Sequence, residues 1–268
     1  MWQMTVPGHV GLLHAHFVRQ AFPRHFHDCY VVCVNERGAH ASWYRGNTVI
    51  IPEGAITVVS PGEVHTGRPV PGLPWHYRAM YLDAELLATL ATEVGLPAGT
   101  MPAFPSLFVS DASLAGAFVR AHRRCESELD PLECEAQVAD VLLRLLQRHA
   151  IGPRRQTAPS CSSHAVGRAM EFIQDCYSER LTLDRLAEAA GVSRYAVLRA
   201  FRRDVGIPPY AFVTQVRVEH AKRLLREGVA VSAASQRVGF ADQSHLTRHF
   251  KRLMGVTPGA YARGARAV

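Results

Sequence analysis

The sequence predicts an α+β fold with two domains, on three observations. Strand-like runs are confined to residues 24–82, helical periodicity begins at Asp111, and the excess positive charge follows residue 163. A stretch rich in Pro, Ser and Gly separates the two halves. We therefore expect a barrel over residues 1–110, a helical segment over 111–151, a linker over 152–164 and an all-α domain over 165–268.

The expected barrel rests on short apolar runs separated by turn residues. The runs are CYVVCVNERG, ASWYRGNTVIIPEG, AITVVSPGEVH and WHYRAMYL, all within residues 24–82. Gly, Pro and Asn punctuate them at the spacing of a sandwich or barrel.

The helical segment is predicted as two helices. Asp111 or Ser113 can cap the first, which should end near Asp130. The second carries an apolar stripe of Leu132, Val138, Leu142, Leu145 and Leu146.

Composition indicates a globular chain with an uneven charge. Of 268 residues 48% are hydrophobic, no apolar run reaches the roughly 18 residues of a membrane span, and the N-terminus resembles no signal peptide. We therefore expect a cytoplasmic protein. From His164 onward the formal charge is +8, against −1 for the remainder, as a polyanion partner such as DNA would favour. A basic surface kept for solubility is the alternative.

The six cysteines show no metal-finger spacing, and reduced thiols are the default for a cytoplasmic chain. Cys29 and Cys33 can lie on one face of a strand. A structural thiol pair or a redox switch is the alternative to two reduced thiols there.

Residues 181–206 predict a first helix–turn–helix unit. Thr182 can cap one helix, Gly191 allows a tight turn, and Ser193 can cap the next helix. The outward face of that helix carries Tyr195, Leu198, Arg199 and Arg202, and a guanidinium fork matches the major-groove edge of guanine.

Residues 232–251 repeat this pattern. Ser232 is expected to cap a helix, Gly239 to turn the chain, and Asp242 to cap a second helix that buries Leu246 and Phe250. Its outer face is Gln243, Ser244, Thr247, Arg248 and Lys251. A helix over 210–228 links the units, so the two recognition helices should enter successive major grooves about 34 Å apart. A solvated helix face is the alternative for either unit alone.

The C-terminal segment resembles the DNA-binding domain of the AraC/XylS family of bacterial transcription regulators. The residues that carry the resemblance are LAEAAGVS, FRRDVG with Pro209, RVEHAKRLL and VGFADQSHLTRHFKRLMGVTPGAY. The resemblance implies sequence-specific contacts to double-stranded DNA by Arg194, Tyr195, Leu198, Arg199, Arg202, Gln243, Ser244, Thr247 and Arg248. Lys251 lies on the same face and is included with them.

Two details of these helices bear on chemistry. Leu198 departs from the polar residue often found at its position, so contact with a thymine methyl is expected there. His245 and His249 have the spacing of a metal pair on a helix, and helix packing or phosphate contact is the other interpretation.

Histidines mark the barrel. His25 and His27 alternate onto one strand face, and His65 follows a Pro-Gly turn, an arrangement similar to the metal-binding histidines of cupins. The Glu that metal cupins place soon after the His pair is missing. Three interpretations stay open: a polar pocket lining, a bound divalent metal at His25, His27 and His65, or structural histidines.

The N-terminal half also resembles the cupin-like, effector-binding barrel of the same family. The resemblance implies a small-molecule effector inside the barrel, and it does not imply a metal. We expect the pocket to comprise Arg24, His25, His27, His65, Trp75 and Tyr77, which suits a small polar or anionic metabolite.

The predicted function is a ligand-responsive transcription regulator without catalytic residues. The resemblance implies activation, RNA polymerase as a partner, dimerisation through residues 111–151, and an arm before Arg24 that folds over the pocket. Packing of those helices on the barrel is the alternative to dimerisation. A metal-dependent cupin enzyme or metal sensor fused to a DNA-binding domain, and a constitutive DNA-binding protein, are the rival functions.

Overall fold

The computed structural model describes residues 2–6, 10–18, 20–126, 131–152 and 161–265. Its described residues form ten strands and ten α-helices. The strands are β1 Trp2–Val6, β2 Val10–Phe17, β3 Phe22–His25, β4 Tyr30–Gly38, β5 His40–Tyr44, β6 Asn47–Ile51, β7 Ile56–Val59, β8 His65–Pro69, β9 Trp75–Leu82 and β10 Phe108–Val109. The helices are α1 Ala84–Glu93, α2 Ala112–Glu126, α3 Pro131–His149, α4 Cys161–Cys176, α5 Leu183–Ala190, α6 Arg194–Ala200, α7 Pro209–Arg226, α8 Val231–Arg237, α9 Gln243–Met254 and α10 Pro258–Ala265.

The strands form two antiparallel sheets. One has the order β1-β2-β9-β4-β7-β10, and the other contains β8-β5-β6. The chain divides into two compact units, with β1, β2, β4–β10 and α1–α3 in the first and β3 together with α4–α10 in the second.

The segment before Arg24, expected as an arm over the pocket, is instead part of the larger sheet. Strand β2 pairs with β9 along its whole length, from Gly11 opposite Tyr81 to Phe17 opposite Trp75. Alternate side chains of β2 face different environments. The sequence did not reveal this strand, because the segment has no clear turn signals.

One face of the larger sheet forms the core of the first unit. Alternate strand residues, among them Leu12, Val32, Val58 and Met80, pack with Phe118 of α2 and the buried side of α3. The helical segment thus packs on the sheet, which is the alternative to dimerisation that the sequence allows. Leu132, predicted in the buried stripe of α3, is 73% exposed, because the helix begins beyond the edge of this core.

A buried charge network fastens α2 to the same face. Arg78 on β9, only 5% exposed, forms ion pairs with Glu36 and with Glu126, and Arg123 donates to Glu36 at 2.7 Å. Glu36 lies at a bulge in the β4–β9 pairing, which aims its carboxylate at Arg78. Burial tends to raise the pKa of Glu36, but the hydrogen bonds and charges of the two arginines outweigh it, so the pKa lies below the ordinary value.

Local capping signals are confirmed at most helix starts. The Asp111 carboxylate accepts from the backbone N–H of Leu114 at 3.0 Å, which decides between Asp111 and Ser113. Ser232 is wrong as a cap: it lies inside α8, which starts at Val231 with Ala230 at the cap position and no side-chain hydrogen bond there. The linker prediction falls mostly outside the described residues, and its last four residues already belong to α4.

The expectation of reduced cysteines is wrong for one pair. Cys125 of α2 and Cys134 of α3 form a disulfide, because the helix pair brings their Cα atoms to 5.3 Å. Cys29, Cys33 and Cys176 are free thiols, so no disulfide joins Cys29 to Cys33.

We predict that reducing this disulfide lowers the free energy of unfolding by about 2–3 kcal/mol. A cross-link between cysteines 9 positions apart restricts the unfolded chain, and reduction removes that restriction. Chemical denaturation with and without dithiothreitol measures the difference. A Cys125→Ala/Cys134→Ala variant is the control, and its midpoint should not respond to the reductant. A thiol titration showing every cysteine free in the unreduced protein would contradict the assignment.

Candidate functional site

The first helix–turn–helix unit, α5 and α6, is held by the caps that the sequence predicts. The Thr182 hydroxyl accepts from the Arg185 N–H and the Ser193 hydroxyl from the Ala196 N–H, both at 3.3 Å. Gly191 between the helices is left-handed with φ 64°, a conformation that L side chains rarely adopt. Val197 and Ala200 are buried, so the opposite face of α6 is turned to solvent.

The structure places the predicted contact residues of this unit on or just beyond that face. Arg194, Tyr195 and Arg199 are exposed, Tyr195 to 77%, whereas Leu198 is half-buried. Arg194 forms an exposed ion pair with Asp184 of α5. Arg202 is exposed too, but it lies in a π-helical turn, Phe201–Val205, and not on α6 itself.

The second unit, α8 and α9, presents a similar surface. The Asp242 carboxylate accepts from the His245 N–H at 2.7 Å and so caps α9. Leu246 and Phe250 are fully buried. On the other side Gln243, Ser244, Arg248 and Lys251 are exposed and Thr247 is half-buried.

One arginine of α7 connects the turn after α4 to the second helix–turn–helix unit. The Arg217 guanidinium donates to the carbonyl oxygens of Tyr177 and Glu179, each at 2.7 Å. It also lies 5.9 Å from the ring centre of Phe240, in the turn of the second unit. Burial lowers the pKa of Arg217. The guanidinium thus joins the end of α4 to the turn between α8 and α9.

His245 and His249 pack around an aromatic ring. Their own ring centres are 4.8 Å apart, and they lie 5.1 and 6.0 Å from the ring of Phe240. Burial, followed by the charges of His245, Arg248 and Arg252, lowers the pKa of His249. Within the described part of the chain, neither belongs to a group of three or more side chains able to share a metal. The packing interpretation therefore fits the geometry.

The predicted histidines of the barrel are divided between the two compact units, because His25 lies in β3 of the second unit and His27 and His65 lie in the first. The rings of His27 and His65 are 5.2 Å apart, and the Tyr81 ring meets His27 edge-on at 5.7 Å. His25 and His27 are buried, and His65 is half-buried. His27 and His65, the histidine pair, lie near the Tyr81 end of β9.

Trp75 and Tyr77 lie toward the other end of β9. Trp75 and Tyr81 are six positions apart, roughly 20 Å along a strand. Trp75 stacks on His40 at 4.6 Å and on Tyr77 at 4.8 Å, and its indole N–H donates to Asn35 at 3.1 Å. Burial lowers the pKa of His40 to about 4, so this ring is neutral at physiological pH.

Arg24 does not join either group. Its side chain is exposed, and strand alternation places it on the opposite face of β3 from His25. Asn35 and His40 were missed by sequence reasoning, although a polar residue at an inward strand position was the available signal. Glu63 was missed as well; it lies in the loop before β8, and its carboxylate accepts from Tyr44 and Arg45.

Comparison with known proteins assigns both halves of the chain. Residues 7–142 match the AraC-like ligand binding domain, and residues 186–264 match a helix-turn-helix domain. The first match alone covers half of the sequence. The chain belongs to the AraC family.

Full-length relatives of this AraC-family chain are transcription regulators. It is 29% identical to the uncharacterized HTH-type transcriptional regulator YbfI of Bacillus subtilis, over 85% of this chain and 82% of the relative. It is 22% identical to the HTH-type transcriptional activator RhaS of Salmonella arizonae, over 92% and 90%. A crystal structure of apo ToxT from Vibrio cholerae shares the fold, with a TM-score of 0.63, 10% identity, and coverage of 97% and 98%.

The AraC-family chain is therefore a ligand-responsive, DNA-binding transcription regulator with a cupin-like barrel and a helical DNA-binding domain. In the part of the chain that the structure describes, none of the helices has the length and apolar character needed to cross a membrane.

We predict that Gly239→Ala destabilises the helical domain by at least about 2 kcal/mol. Its φ is +83°, and an added Cβ would lie 2.4 Å from the Ser178 carbonyl oxygen, so strain and a backbone clash add. Gly191→Ala is the matched control, because its φ is also positive but its nearest neighbour is the flexible end of Arg168. Denaturation of both variants measures the difference, and equal losses would refute the clash.

Proposed function

We propose that α6 and α9 read base edges in the major groove of double-stranded DNA. The observation that carries the proposal is the shared construction of the two units. Each has a capped helix with one buried face and an opposite face of exposed cationic and polar side chains. The residues assigned to DNA are Arg194, Tyr195, Leu198, Arg199, Arg202, Gln243, Ser244, Thr247, Arg248 and Lys251.

Individual side chains suit different contacts. Arg199 and Arg248 can donate two hydrogen bonds to guanine, and Leu198 can meet a thymine methyl. Arg194 must exchange Asp184 for DNA, an inexpensive step because both partners are exposed. Arg202, beyond the end of α6, suits a phosphate better than a base edge.

We predict that Arg248→Ala weakens binding to the specific site by about 1–3 kcal/mol and relaxes the preference at one base position. Selection of bound sequences from random duplexes, at two salt concentrations, measures both effects. Arg226→Ala is the control: it removes one exposed arginine from the end of α7, so it should leave the sequence preference unchanged. Equal losses of Arg248→Ala on specific and random DNA would contradict base readout.

We further propose that the barrel interior binds a small effector and that occupancy favours activation through RNA polymerase. The histidine pair His27 and His65 and the Trp75–Tyr77 group supply polar and aromatic walls for such a ligand. An effector shifts the regulator only if it binds the active arrangement more tightly. Since the relatives are regulators, we propose that the chain acts by binding and not by catalysis.

Dimerisation through residues 111–151 is proposed from the outer side of α3. Leu132 and Ala136 are exposed there, one helical turn apart, while the inner side of α3 packs in the core. We predict that Leu132→Glu shifts the protein toward monomer in sedimentation equilibrium. Glu135→Gln, on the same helix, is the control and should keep the wild-type distribution. A wild-type protein that stays monomeric at all concentrations would contradict the proposal.

A further inference from the structure

The turn between α4 and α5, residues 177–182, contacts both helix–turn–helix units. At its end Thr182 caps α5, the first helix of the first unit. Its Ser178 carbonyl oxygen approaches Gly239, in the turn between α8 and α9, so closely that a Cβ added to Gly239 would clash with it. Tyr177 packs against the apolar core around α8 and α9. This segment, the bridging turn, is therefore shared by the two units.

Arg217 of α7 holds the bridging turn through its guanidinium group. Its Nε donates to the Tyr177 carbonyl oxygen and a terminal nitrogen donates to the Glu179 carbonyl oxygen, each at 2.7 Å. A planar guanidinium presents its donors in a fixed fork, so the two bonds set the direction of the turn as well as its distance. Three residues along the same helix, the His220 ring stacks on the Tyr177 ring, with 3.7 Å between ring centres.

Arg185 of α5 holds the same turn from the side of the first unit. Its guanidinium donates to the Arg180 carbonyl oxygen at 3.1 Å and to the Glu179 carboxylate at 2.8 Å. The same group lies 5.2 Å from the ring centre of Phe172 on α4. Helices α5 and α6 pack on each other, so a displacement of the bridging turn also displaces α6.

We propose that Arg217 is a positioning residue for DNA recognition. Through the bridging turn it fixes the distance and the angle between α6 and α9, and so the spacing of the two base-pair blocks that the protein accepts. The covalent path between these helices runs through α7 and short loops, where backbone rotation is possible. Contacts across the bridging turn oppose that rotation, and Arg217 supplies two of them.

A fixed arrangement of α6 and α9 matters for both affinity and spacing. Helices that are already oriented need little further ordering on the DNA, so preorganisation adds to affinity. Two linked modules gain from each other only when the linkage lets both engage at once. Loss of Arg217 should therefore weaken binding to a two-block site and relax its spacing, while each helix still reads its own block.

The inference rests on the proposed base readout by α6 and α9, and its test begins with the sites that the wild-type protein selects from random duplexes. Full-length protein is then titrated with synthetic duplexes that keep the selected spacing, lengthen or shorten it by one base pair, or retain a single block. One inserted base pair moves the second block by about 3.4 Å and turns it by about 34°. The wild type should therefore prefer the selected spacing.

We predict that Arg217→Ala weakens binding to the selected spacing about 10-fold and changes binding to the single-block duplex less than about twofold. The preference for the selected spacing over the altered ones should fall by a similar factor. Arg217→Lys still donates to one carbonyl oxygen at a time, so it should recover part of that preference. Circular dichroism confirms that each variant is folded before titration.

Two further variants complete the comparison. His220→Ala removes the ring stacked on Tyr177 and should relax the spacing in the same direction, by a smaller factor. Arg226→Ala is the matched control, because it removes an exposed arginine of the same helix and should keep the wild-type spacing preference. If Arg217→Ala does not fold, Arg217→Lys and His220→Ala make the same comparison.

Three results would overturn the assignment. The first is a wild-type spacing preference in every folded variant of Arg217 and His220. The second is an equal loss on single-block and two-block duplexes, which would mean that Arg217 acts on each helix separately. The third is relaxed spacing in Arg226→Ala, which would trace the effect to lost charge. Failure of base readout itself looks different, because the wild type would then select no blocks at all.

Discussion

The alternation of side chains on β9 is the constraint on which the first compact unit, the barrel with α1–α3, depends. This strand pairs with both β2 and β4 at the middle of the larger sheet. Met80 and Leu82 point to the helices and form the core, while Trp75 and Tyr77 point to the smaller sheet, where Trp75 stacks on His40. A shift of one residue in the pairing of β9 would exchange these two faces. The same register therefore specifies both the core and the barrel interior.

The charge network around Arg78 adds specificity to that register at a cost in desolvation. A buried guanidinium is tolerable only because Glu36 and Glu126 both pair with it. Glu36 reaches Arg78 through a bulge, and Arg123 of α2 reaches the same carboxylate. Any sliding of α2 along the sheet would separate these charges in a low-dielectric region. The network therefore fixes the position of α2 on the sheet more narrowly than apolar packing alone would.

How much the sequence predicts depends on how local the cause is. The caps Thr182, Ser193 and Asp242 act over three residues, and the structure has all three. Strand β2 and the Cys125–Cys134 disulfide depend on partners chosen by the whole fold, and both were missed. Exposed Leu132 belongs with them, because the apolar spacing of α3 cannot show where the sheet beneath it ends.

The residues of the barrel interior show the same limit of prediction from sequence. The two-residue spacing of His25 and His27 predicts a shared face, whereas the backbone carbonyls beside Nδ1 of His25 and of His65 are placed there by the fold. Sequence reasoning also grouped Trp75 with these histidines, although Trp75 lies roughly 20 Å along β9 from Tyr81, whose ring contacts His27. An effector would have to extend along most of that strand to contact both groups, so the two groups need not bind the same ligand.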